Sequence, residues 1–331
     1  MRFGLALQVT GAQDMKFDDK KLEGSRNFAT KIWNAARFVL MNLDGFEPGE
    51  PSIATPQDAW ILSRLATLAA NYNAALDAYD FGEAARLIND FFWNEFCDWY
   101  IEFAKGRLQE GGESRKVVQR NLVFVLDQAL RLLHPIMPYV TTEIWDKLPK
   151  TDTAPTLMVA AWPDVAALSR FIDPAAERSV QMLCEAITAI RATRARYGIS
   201  PRTELRVALR ANPEDVALLE DLLPSLADLA RTPSIQLGCD IQKPQQSIAC
   251  LAKHLEVFVV VGDLVDFDAE RARISKEIDK TSKELERIEK KLSNPGFLAK
   301  AAPEIIAKEQ GKQEEVSTTL GLLKLQLAGL Q

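Results

Sequence analysis

The 331-residue chain has two histidines and four cysteines, and neither set is spaced for chemistry. His134 and His254 are far apart. Cys97, Cys184, Cys239 and Cys250 are scattered, with no C-x-x-C pair and no histidine at ligand spacing, which argues against a structural zinc site or a disulfide framework and makes a reducing cytoplasm the expected compartment. A surplus of basic charge is also missing. The net charge is -6, so any binding of nucleic acid has to come from a local patch rather than from the whole chain. No apolar run approaches the length of a bilayer span: 255-LEVFVVVG-262 is the strongest, and no membrane partner is expected. His134, between a helical pattern and Pro135, has neither a nucleophile nor a carboxylate pair with it and reads as a packing or capping residue.

Helical periodicity is abundant. Residues 18–43 read as one helix with Leu22, Phe28, Ile32, Trp33, Ala36, Val39 and Leu40 on a broad apolar face, ended by the loop 44-DGFEPGEPS-52. Further helical patterns cover 56–78, 81–108 and 114–133, the last stopped at 134-HPIMP-138. Trp93, Phe96, Trp99 and Tyr100 form a cluster read as core. Short connections predict an antiparallel bundle over 1–150. Residues 151–176, with Pro155, Pro163 and Pro174 and little periodicity, read as a linker. The stretch 177–265 opens with a helix to 196. The runs 204-ELRVAL-209, 234-SIQLG-238 and 255-LEVFVVVGDLV-265, with a helix at 213–223, then predict a small mixed α/β junction unit of three or more strands.

The last segment, 266–331, repeats two patterns. Ile274, Ile278, Thr281, Leu285, Ile288 and Leu292 make an a/d seam, answered by Ile306, Glu309, Gln313, Val316, Leu320, Leu323, Leu327 and Leu330. The short break 293-SNPGFLAKAAPE-304 turns the second helix back along the first, predicting an antiparallel coiled-coil hairpin. Arg273, Lys276, Lys280, Lys283, Arg287 and Lys290 fill every outer c and f position of the first helix, between acidic b, e and g flanks. A solvated charged face usually mixes its signs. A ridge of cations alone suits a phosphate backbone.

Four stretches carry a family resemblance: NFATKIWNAARFVLMNL (27–43), FFWNEFCDWYIEFAKGRL (91–108), HPIMPYVTTEIWDKLP (134–149) and KKLSNPGFLAKAAPE (290–304). Together they resemble the C-terminal part of bacterial valyl-tRNA synthetases, over nearly the whole chain. The resemblance implies a mainly α fold: a class I synthetase anticodon-binding bundle over 1–150, the junction unit, and a tRNA-binding arm over 266–331. It implies that Lys31, Asn34, Arg37 and Phe38 face the anticodon loop, and it makes the arm ridge a contact to tRNA backbone. Arg191, Arg194 and Arg196 are candidates for phosphate at the junction. Trp33 is assigned to the core.

The resemblance equally implies what to look for elsewhere. The family's His-x-Gly-His and Lys-Met-Ser-Lys-Ser motifs, which hold ATP, are absent from this sequence. No catalytic residue, metal or cofactor is therefore expected in it, and ATP with Mg is implied for the full-length enzyme only. The expected partners are tRNA(Val) and the N-terminal catalytic and editing domains, with no DNA. The competing readings are a helical scaffold protein and a free-standing tRNA-binding protein acting in trans.

Overall fold

In a computed structural model, residues 1–9, 19–149, 153–293 and 303–329 are described. The chain divides into two compact units, Met1–Cys184 and Glu185–Gln331.

The first unit is all helical: α1 (Arg2–Ala6), α2 (Asp19–Met41), α3 (Pro56–Asp77), α4 (Phe81–Asp90), α5 (Ile101–Glu110), α6 (Gly112–Leu133), α7 (Pro138–Trp145), α8 (Val165–Leu168) and the first turns of α9 (Pro174–Arg196). Each start has a local cause. Thr55 caps α3 in a reciprocal box with Asp58, and Pro56 takes the first position, where a missing N–H costs nothing. Between α5 and α6 the chain reverses through Gly111 and Gly112, at φ of 82° and 66°, which side chains with a Cβ rarely adopt.

The helical pattern at 81–108 proves not to be uniform. Phe91–Tyr100, joining α4 to α5, is π-helical. Its sequence shows why. Ala84, Ile88, Phe92, Phe96, Tyr100, Ala104 and Leu108 are all buried and fall at a constant spacing of four. On an α-helix that spacing drifts by about 40° per step, and the wider i→i+5 turn rotates the stripe back. One apolar face thus stays aimed at the core. Within the aromatic cluster of this stretch, Phe96 and Tyr100 are buried while Trp93 and Trp99 are only half-buried.

Buried carboxylates in this unit are engaged, while the Ser25 and Tyr72 hydroxyls are buried without a hydrogen-bond partner. Asp58, with 0 % exposure, accepts from Tyr100 Oη at 2.9 Å and from Arg107 Nη1 at 2.8 and 2.9 Å. Asp127 accepts from Arg131 and from Trp145 Nε1. The stretch 151–176 is more than a tether within its described part, because Leu157, Leu168 and Phe171 are buried there.

The second unit holds the rest of α9 and a four-stranded sheet in the order β2-β1-β4-β3: β1 (Arg206–Arg210), β2 (Ser234–Gly238), β3 (Ser247–Leu251) and β4 (Glu256–Val260). β1 runs parallel to β2 and antiparallel to β4, with Ala208 opposite Gln236 and Phe258 respectively. The parallel pair needs a crossover, which α10 (Pro213–Glu220) and α11 (Leu223–Ala230) supply. The helix expected at 213–223 is α10, ending at Glu220, while α11 and β3 were not foreseen.

α12 (Phe267–Leu292), capped by Asp266, packs along α13 (Pro303–Gly329). Lys291, at the end of α12, pairs with Glu309, near the start of α13, at 2.8 Å, so the two helices are antiparallel. The seam behaves as its spacing requires: Ile274 and Ile288 are buried, Ile278, Thr281, Leu285 and Leu292 are half-buried, and Leu320 closes from α13. The side chain of Ile306, and Leu330, lie outside what is described.

Candidate nucleic-acid interface

α2 buries Phe28, Ile32, Ala35, Ala36 and Val39 and leaves a broad arc outward. Helical spacing orders that arc. Lys31 and Phe38 lie on one edge, Asn34, Thr30 and Arg37 on the crest, and Arg26 and Trp33 on the opposite edge. Asn34 and Arg37 are exposed and Phe38 is half-buried.

Lys31 is held in place. Its Nζ sits 3.9 Å from the centroid of the Trp93 ring and 2.6 Å from Asp98 Oδ1, both on the π-helical stretch. A cation on an aromatic face contributes about 0.5–1 kcal/mol at such a site. Burial pushes the neighbouring Cys97 thiol up to about 12. Trp33 is a correction: expected in the core, it is 41 % exposed. It follows Ile32 by one residue, about 100° around the helix, which carries it off the buried face.

On the arm, all six ridge residues Arg273, Lys276, Lys280, Lys283, Arg287 and Lys290 are exposed. Arg273 is shared between Glu270 at 2.6 Å and Glu277 at 2.9 Å, and the hydrogen bond from Arg273 holds the Glu270 carboxyl below its usual range. Among the described residues, no carboxylate is ion-paired with Lys276, Lys280, Lys283, Arg287 or Lys290. Five cations in succession therefore face outward along α12. The visible part of α13 offers no match, with Lys312 and Lys324 against Glu309, Glu314 and Glu315.

The junction arginines separate by role. Arg194 is 6 % exposed and donates to the carbonyls of Ser200, Ala230 and Arg231 at 2.9–3.2 Å. Burial, with Arg231 nearby, lowers its pKa. It ties the end of α9 to the end of α11, so its expected phosphate role is withdrawn. Arg191 is exposed and reaches the Leu229 carbonyl at 3.4 Å. Arg196 is exposed, 5.5 Å from the Tyr197 ring, and borders an open cleft with Asp266, Glu270 and Arg273 at the root of α12.

His134 has a structural place. His134 Nδ1 and Thr141 Oγ1 share a hydrogen bond at 2.8 Å, and the Thr141 hydroxyl also lies within donating distance of the Met137 carbonyl at 2.8 Å. No nucleophile joins them. Among the described residues, no His/Cys/Asp/Glu group could hold a metal ion, and no helix is long and apolar enough to cross a membrane.

A mainly α bundle joined in sequence to a sheet and a basic hairpin defines a class, and the family comparisons agree with it. Residues 58–209 match the anticodon-binding domain of tRNA ligases, and residues 266–331 match the valyl tRNA synthetase tRNA binding arm. The valine–tRNA ligase of Geobacter sulfurreducens is 40 % identical over 322 residues, covering 96 % of this chain and 36 % of the relative. That of Bacillus subtilis is 35 % identical over 339 residues, covering 100 % of this chain and 38 % of the relative. The chain belongs to the valine–tRNA ligase family, matching its anticodon-binding and arm regions, and spans 36–38 % of the length of these two relatives.

Proposed function

We propose that this chain recognises tRNA(Val) for a cytoplasmic valine–tRNA ligase whose amino-acid activation and editing, with ATP and Mg, are performed by domains outside the sequence described. The observation that carries the reading is the run of five outward cations on α12, unpaired among the described residues, in the region that matches the family's arm. Phosphates spaced along an RNA strand meet such a row without regard to sequence. Lys31, Asn34, Arg37 and Phe38 supply the complementary chemistry: amide and cationic donors for base edges and a ring for stacking. Arg191 and Arg196 remain candidates for backbone contact at the junction.

A scaffold that docks other helices is disfavoured, because the outer positions of α12 hold cations where a docking helix would want apolar side chains. The test is tRNA(Val) binding at several salt concentrations by the wild-type chain and by Lys280→Gln/Lys283→Gln/Arg287→Gln. Each lost phosphate contact should flatten the slope of log affinity against log salt by about 0.7–0.9. An unchanged slope would return the ridge to a solvated face. The chain alone should show no valine-dependent exchange of pyrophosphate into ATP; exchange above background would overturn the division of labour.

A further inference from the structure

The second unit carries an unguarded sheet edge. β2 is an edge strand, and Gly238 O accepts from Ala211 N, so the alternation of a parallel ladder turns the N–H and C=O groups of Ile235 and Leu237 away from β1. α10 and α11 pack against β2, yet among the described residues nothing bonds those groups. Edges are ordinarily blunted by a charge, a proline or a bulge. Ser234–Gly238 has none of the three, and its register with β1 is unbroken.

Beside this edge lies a pocket of about 290 Å³. Ser234 and Gln236 share its face of the sheet with Arg206 of β1 and Val260 of β4, and Pro244 and Gln245, from the loop before β3, add to the lining. None of its described lining residues is acidic. On the same face Arg210 is paired with Glu256, whereas Arg206 is exposed and has no ion-pair partner among the described residues. The side chains of Ser234, Gln236 and Gln245 are exposed and equally unengaged. A guanidinium with amide and hydroxyl donors around it fits one carboxylate.

The edge decides what carries that carboxylate. Glu204 stands two residues before β1 and Asp240 two after β2, both exposed, and this disfavours a continuous polyanion such as RNA. An extended polypeptide presents backbone donors and acceptors at the spacing that Ile235 and Leu237 require, and sends alternate side chains to the pocket's face. We propose that β2 docks an extended polypeptide segment as a fifth strand, with an acidic side chain of that segment entering the pocket to pair with Arg206. The site is independent of the tRNA reading, since it uses neither the α12 ridge nor α2.

The experiment titrates the full chain with a fluorescent peptide, Ser-Thr-Val-Glu-Val-Thr-Ser, and with the same peptide carrying glutamine in place of glutamate, and follows amide hydrogen exchange at Ile235 and Leu237. Exchange at both amides should slow as peptide is added. The glutamate peptide should bind roughly tenfold tighter than the glutamine peptide, and Arg206→Gln should erase that difference without moving the melting temperature. Methylating alternate backbone nitrogens of the peptide should abolish binding for one of the two possible sets and spare the other, because a docked strand turns only one edge to β2. Unchanged exchange at Ile235 and Leu237, or equal affinity for the two peptides, would overturn the proposal. Protection of these amides by tRNA(Val) but not by peptide would assign the edge to RNA, and protection that grows with protein concentration alone would assign it to a second copy of the chain; either result overturns it as well.

Discussion

Asp58 shows how much a single side chain does in the bundle. It closes the capping box of α3, accepts the Tyr100 phenol and neutralises Arg107, all at 0 % exposure. Asp58→Ala leaves a guanidinium and a phenol without their acceptor, and the expected cost is about 3–5 kcal/mol, measured by denaturant unfolding. His134 gives a pH signature of the opposite kind. Burial lowers its pKa from 6.5, so the unfolded chain takes up the proton first as pH falls. Its contribution is fully present above the unfolded value and is lost as pH drops below it toward the folded one. Melting temperatures at pH 7.5 and 5.5 should therefore differ less in His134→Asn than in the wild type.

Elements were legible in the sequence wherever one period held throughout. The bundle helices and both arm helices keep their apolar spacing, and residue burial follows it on α2 and α12. The π-helical stretch escaped because a spacing of four passes as a loose α pattern until the drift is added over six steps. Strand β3 escaped because Ser247–Leu251 reads SIACL, an unbroken run from Ile248 to Leu251 with no polar alternation, whereas the equally short edge strand β2 shows Ile235 and Leu237 on either side of Gln236. At the candidate sites the residue types were legible but not their directions. Trp33 sits one residue from the fully buried Ile32, and three arginines within 191–196 look alike until α9 winds Arg194 inward. That difference is measurable. Arg194→Met should destabilise the second unit by about 1–3 kcal/mol, since buried carbonyls lose a charged donor, yet leave the salt slope of tRNA binding unchanged. Arg196→Gln should do the reverse, flattening the slope while leaving the melting temperature alone.

At the scale of the whole molecule, Phe38 and the ridge belong to different units and share no partner, so their effects on binding should add. Phe38→Ala should lose about 1–3 kcal/mol through stacking and discriminate among tRNAs with different anticodons, whereas the ridge triple variant should weaken all of them alike. Binding by the combined variant that departs from the sum by more than about 0.5 kcal/mol would show that the two surfaces are coupled. The placement of charge has a further consequence, for rates. The chain carries a net charge of -6, so if the six ridge cations are set aside, the remainder holds a surplus of twelve negative charges, six of net charge and six that offset the ridge. Seven carboxylates share α12 with eight cations, so any attraction for an approaching polyanion is confined to the outer ridge and is short in range. If the ridge is what meets the polyanion, productive encounters are those that present this one face, and diluting the salt should speed association more than it slows departure.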